Sequence, residues 1–100
     1  MNIKTVLRSV NRRTLTNDTQ KVAHKLLAAN GDWVRRSELE RVAGSAAARV
    51  RDLRKREFGR FKVDCEPASS LEKRGTKNTF FYRIRPKTVS KKQVETVFRI

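Results

Sequence analysis

Chemistry in this chain starts from its cations. In the stretch SAAARVRDLRKREFGR, residues 45–60, a serine and three alanines run into Arg49, Arg51, Arg54, Lys55, Arg56 and Arg60. Each buried cation costs several kcal/mol unless it is paired, so this density of positive charge points outward, to an anionic partner. Other chemistry has little to stand on. A single cysteine, Cys65, and a single histidine, His24, leave no disulfide framework and no zinc site of Cys and His ligands. No glycine-rich phosphate loop is present. Asp64 and Glu66 alternate on one strand face without the further carboxylate and lysine of a nuclease-like set. A cofactor is not expected and neither is catalysis.

The whole composition agrees. Among 100 residues, 25 Lys and Arg face 10 Asp and Glu, a formal charge of +15, well beyond what solubility requires. A field of this sign attracts polyanions. An anionic membrane is the weakest candidate, because no apolar run approaches the roughly 20 residues of a span. The N-terminus MNIKTVLRSVNRR lacks the unbroken apolar region of a secretory signal, so a cytoplasmic, nucleoid-associated location is the expectation. At 37% hydrophobic composition the chain buries one modest core.

Elements that position the cations can be read in order. From residue 17, NDTQKVAHKLLAANG opens on Asn17 and Gln20 as a capping box. It shows an apolar face of Val22, Ala23, Leu26, Leu27 and Ala29, and it stops at Asn30-Gly31. His24 falls opposite that face and reads as solvated. GDWVRR gives a turn and a small strand with Trp33 as a core anchor. SELERVAG pairs Ser37 with Glu40 as a second capping box, with Leu39, Val42 and Ala43 on one face and Gly44 as the stop. Ser45 then caps the next helix, so two short helices meet at a tight turn. After Phe58-Gly59 the period changes to 2, with Phe61, Val63 and Cys65 inward and Lys62, Asp64 and Glu66 outward. A polar loop, SSLEKRGTKN, leads to a second strand that alternates Phe80, Tyr82 and Ile84 against Phe81, Arg83 and Arg85. These aromatics read as core, apart from Phe81, which stands on the polar face in a position to stack on a ligand.

This order of GDWVRR, SELERVAG, SAAARVRDLRKREFGR, alternating strand, KRGTKN and TFFYRIRP resembles the winged helix-turn-helix DNA-binding proteins, including small regulators of bacteria and their phages. The resemblance implies an α+β fold, a three-helix core with a β-hairpin wing, over residues 17–86. Residues 1–16 form a basic N-terminal segment and 87–100 a short C-terminal helix or tail. It also implies that residues 45–58 are the recognition helix in the major groove, with Ala47, Ala48, Arg51, Asp52 and Lys55 turned toward base edges. Loop 70–78 becomes a basic wing.

A helical wheel places Ala46, Val50 and Leu53 on the core stripe, Ala48, Arg51, Asp52 and Lys55 opposite, and Arg49 and Arg56 on a flank. Small alanines let a helix approach a groove, and Arg51 and Lys55 reach guanine edges or phosphates. Asp52 repels phosphate, so it either accepts from a cytosine amino group or belongs to an ion pair. Arg54, beside the core stripe, snorkels or pairs. Arg35, Arg36 and Ser37 at the start of the second helix, with Ser45 ahead of the third, suit phosphates. The wing adds Lys73, Arg74, Lys77 and Asn78 around Gly75. Roughly six to ten phosphate contacts follow, with affinity falling steeply as salt rises.

At the ends, Ile3, Val6, Leu7 and Val10 keep helical spacing with Lys4, Arg8 and Arg12 turned elsewhere. Ser90 and Gln93 form a capping box ahead of Val94, Val97 and Phe98, with Val89 placed to staple Val94. These stripes are buried either on their own domain or against a second copy. Paired half-sites in helix-turn-helix readers favour a homodimer through residues 3–12 and 89–100. The expected partner is double-stranded DNA. The rival readings are an architectural or RNA- and ribosome-associated protein without strong sequence choice, and an adaptor that binds transcription machinery.

Overall fold

Helix α1 (Asp18–Ala28) starts where the sequence places it, because the Asn17 side chain accepts a hydrogen bond from the Gln20 backbone N–H at 2.8 Å. It stops where Asn30 (φ 52°) and Gly31 (φ 94°) turn left-handed. The computed structural model describes residues 7, 10, 15, 17–71, 73, 75 and 79–99. Among them it is an α+β fold of four helices and one three-stranded antiparallel sheet. The other helices are α2 (Arg36–Val42), α3 (Ala46–Leu53) and α4 (Lys91–Phe98). The strands are β1 (Val34–Arg35), β2 (Val63–Pro67) and β3 (Phe80–Ile84), with β3 in the centre. Register pairs Val34 with Tyr82 on one side of β3 and Val63 with Ile84 on the other.

One core joins all of these elements. It takes Val22, Ala23, Leu26 and Leu27 from α1, Leu39 and Ala43 from around α2, and Ala46, Val50 and Leu53 from α3. The sheet adds Val34, Val63, Tyr82 and Ile84, Phe61 fills between, and Val94, Val97 and Phe98 close it from α4. Leu7 and Val10 are buried in the same cluster. The rest of the expected N-terminal helix, with Ile3, Val6, Lys4, Arg8 and Arg12, lies outside the described residues. The α4 capping box is formed in both directions, Ser90 Oγ accepting from Gln93 N at 3.2 Å and Gln93 Oε1 accepting from Ser90 N at 2.7 Å. Its apolar stripe is therefore spent inside its own domain. Gln20, itself 2% exposed, turns inward and donates from Nε2 to the Val97 carbonyl at 3.1 Å, tying α1 to α4.

Several expectations need correction. Ser37 does not cap α2: the ladder with β3 holds the chain through Arg35, so the helix begins at Arg36 with no side-chain cap. Val42 is 38% exposed because α2 ends on it, and Ala43 turns back into the core instead. Ser45 leads α3 from a left-handed conformation (φ 55°) without a side-chain hydrogen bond; its carbonyl accepts from Ala48 and Arg49. The third helix ends at Leu53 rather than near Phe58. Lys55 is extended, and the Leu53 carbonyl accepts from the N–H of Phe61 at 2.7 Å, so only a short 3-10 turn, Arg56–Phe58, follows. Cys65 is exposed, since β2 lies at the sheet edge and its burial fades after Val63. His24 is half-buried, with its ring edge-on to Phe98 at 6.4 Å and 75°.

Candidate nucleic-acid interface

Helix α3 carries the richest candidate surface because its inner face is fixed. Ala46, Val50 and Leu53 are at most 2% exposed, and this 3, 4 spacing sets the rotation of every other side chain on the helix. Arg51 is exposed and makes no ion pair among the described residues, while Ala47 and Ala48 are half-exposed. Small side chains here leave Arg51 as the longest group rising from the middle of that face.

Asp52 does something the sequence left open. Its side chain is 17% exposed and lies between three partners. The Thr19 hydroxyl of α1 donates to Oδ2 at 3.2 Å, Arg49 Nε stands 3.2 Å from the same oxygen, and Lys55 Nζ stands 3.3 Å from Oδ1. Arg49 Nε is buried and its approach lacks hydrogen-bond alignment, so this contact is one of charge. The carboxylate thus fastens α3 to α1 and neutralises a cation on the helix flank. Arg54 is bound as well, donating from Nη2 to the Val63 carbonyl at 2.7 Å. Of the two readings, snorkelling or pairing, the structure shows a tether to the backbone of β2.

The start of α2 meets the β2–β3 hairpin. A hollow of about 350 Å³ is lined by Arg35, Arg36, Ser37, Glu40, Thr79 and Phe80. Arg36 Nε pairs with Glu40 at 2.9 Å, and Ser37 is exposed. Phe81, read from the sequence as an open stacking face, is only 5% exposed. The Arg35 guanidinium lies 5.2 Å from its ring centroid and Lys73 Nζ 5.4 Å, so the cations cover the ring. That shared ring brings Arg35 and Lys73 together. The hairpin loop is closed at its base by Ala68 N–H to the Thr79 carbonyl at 2.9 Å. Arg74, Lys77 and Asn78 lie outside the described residues.

Trp33 is not a core anchor. It is half-buried, with the Arg83 guanidinium 4.3 Å over its ring. Asp64 Oδ2 holds Arg83 at 2.9 Å and Arg85 at 3.1 Å. The alternation read from the sequence sets Arg83 and Arg85 on the same side as Phe81, and both meet Asp64 there; what it did not show is that Trp33 lies under Arg83. Arg56 lies beyond the end of α3, in the 3-10 turn that follows it.

On the opposite sheet face, burial pushes the Tyr82 phenol above its usual range, and the neighbouring Cys65 thiol pushes the same way against Arg36 and Arg54. No group of three or more His, Cys, Asp or Glu gathers to hold a metal among the described residues. None of their helices is long and apolar enough to cross a membrane. Comparisons with protein-family models, with curated proteins and with solved structures each give no match.

Proposed function

We propose that this chain is a winged helix-turn-helix protein that binds duplex DNA sequence-specifically and regulates transcription by occupying its site. Helix α3 is the recognition helix, and loop 70–78 between β2 and β3 is the basic wing. One observation carries this reading. With Ala46, Val50 and Leu53 buried, the outward face of α3 offers Ala47, Ala48 and an exposed Arg51 that makes no ion pair among the described residues, while the helix's one carboxylate, Asp52, is engaged by Arg49, Lys55 and Thr19. The face is therefore short in bulk and net positive, as close approach to a base-pair edge demands.

Arg51 reads base edges. Lys73, with Arg35, Arg36 and Ser37, contacts phosphates, and these contacts hold the register of the helix without reading sequence. A-form RNA hides its major groove from a helix, so the reading predicts a preference between nucleic acids. The test is a titration of labelled random-sequence duplex DNA and double-stranded RNA of equal length at one salt concentration. Tighter binding to DNA supports the reading. Equal binding moves the protein to an architectural or RNA-associated role, and no binding to either leaves the adaptor role.

A further inference from the structure

A groove at the far end of α3 is assigned to none of the contacts above. It has a volume of about 600 Å³ and is lined by Arg56, Gly59, Arg60, Ser90, Lys92, Gln93 and Thr96. The turn after α3 and the first turns of α4 form its walls. Gly59 makes their approach possible: its φ is 105°, and an added Cβ would stand 3.0 Å from the Gln93 carbonyl oxygen and 3.1 Å from the Phe61 ring. Gln93 Nε2 then donates to the Arg60 carbonyl at 3.2 Å and closes the junction.

The neutral polar groups of this groove are already used. Ser90 and Gln93 cap α4, and Thr96 Oγ1 donates to the Lys92 carbonyl at 2.7 Å. Arg56, Arg60 and Lys92 are exposed and form no ion pair among the described residues. No acid lines the groove, and the nearby Glu95 is held by Lys91 at 3.9 Å. A ligand therefore meets three cationic heads and no opposing carboxylate in the lining, a setting that fits an anion. Eight residues of α3 span about 12 Å, comparable to the width of a major groove, also about 12 Å. For a helix of this length laid across the major groove, the segment that follows it would reach the rim, where the phosphates run.

We infer that the Arg56, Arg60 and Lys92 groove is a phosphodiester-binding site that grips the DNA backbone beside the segment read by α3. This rests on the duplex-binding reading and adds Arg60 and Lys92 to it. The contact is independent of sequence and contributes through counterion release.

The test compares three proteins on one random-sequence duplex over a range of salt: wild type, Arg60→Asn with Lys92→Gln, and a charge-matched control, Lys25→Gln with Lys87→Gln. Asparagine suits the left-handed backbone at Arg60 (φ 51°), and melting curves check folding. Each lost phosphate contact reduces the slope of log K against log salt by about 0.9, so the groove variant is expected to lose about 2 from the slope while the control keeps the wild-type value. Should the double variant melt early, Lys92→Gln alone is expected to lose about 0.9. Equal slopes for groove variant and control overturn the groove assignment. Absence of salt-dependent duplex binding by the wild type instead removes the duplex reading, and the groove's ligand with it.

Discussion

Replacing Asp52 with alanine separates a structural carboxylate from a base-reading one. Three contacts are lost. Lys55 is 61% exposed, and an ion pair that open to water contributes close to nothing. Arg49 is 33% exposed against 17% for Asp52, which leaves about 1 kcal/mol after screening. Thr19 is 3% exposed, so its hydroxyl loses a charged acceptor in a dry place, costing about 1.5 kcal/mol. Alanine returns about 0.5 kcal/mol as the better helix former. The net loss is about 2 kcal/mol, or a drop in Tm of roughly 8 to 16 °C for a domain of this size. Below the lowered Tm the variant is expected to bind random duplex at least as tightly as wild type, since one negative charge has gone, and to keep its sequence preference. Calorimetry and fluorescence anisotropy read the two quantities, with Lys55→Ala as a control that stays within about 0.5 kcal/mol of wild type. A variant with wild-type Tm that loses discrimination between its preferred site and random duplex would place Asp52 on a base and refute the ion-pair account.

Other perturbations probe separate parts of the account. Arg51→Ala should weaken binding to a preferred site by about 1–3 kcal/mol and binding to random duplex much less, whereas Lys73→Ala should weaken both alike; equal losses for Arg51→Ala would remove it from base readout. Gly59→Ala forces a side chain into a positive φ against the Gln93 carbonyl, and chemical denaturation should show a loss of about 2 kcal/mol. Tyr82 is the chain's one tyrosine, so its phenolate absorbance can be followed alone and should rise above the ordinary tyrosine range. Because burial raises the folded phenol's pKa, the native state holds its proton at pH values where the unfolded chain, with a pKa of about 10, has lost it. Stability is therefore full below about pH 10 and falls as pH rises through the folded pKa. Tyr82→Phe should flatten that fall, and an unchanged pH dependence in the variant would place its cause elsewhere.

The readable parts of the sequence were those set by local periodicity. The α3 stripe of Ala46, Val50 and Leu53 and the Ser90–Gln93 box follow from spacing alone, and both are found. The end of α3 was not readable, because its stop is a distant N–H: Phe61 takes the Leu53 carbonyl. Nor was the burial of Phe81. Strand alternation correctly separates it from Tyr82, but the cover comes from Arg35, its ladder partner on β1, and from Lys73, neither of which the pattern of β3 itself includes. Trp33 reads as core by hydrophobicity, and its broad ring instead serves as a seat for Arg83. Asp52 lay between two chemistries on a helical wheel, and Thr19 of α1, 33 residues away, is what the wheel could not include. Arg60 and Lys92 share a groove because a glycine lets two turns touch; pattern reading along the chain has no access to such a pair.

As proposed above, α3 reads base pairs while the remaining cations hold the backbone. Selection from a random duplex pool at near-physiological salt, with sequencing of the DNA that the purified protein retains, tests it most directly. The expected result is an enriched motif, lost on Arg51→Ala, whose symmetry reports whether one or two copies bind. A flat pool with strong, salt-sensitive retention would contradict it, leaving the charge of residues 49–56 to serve phosphates alone.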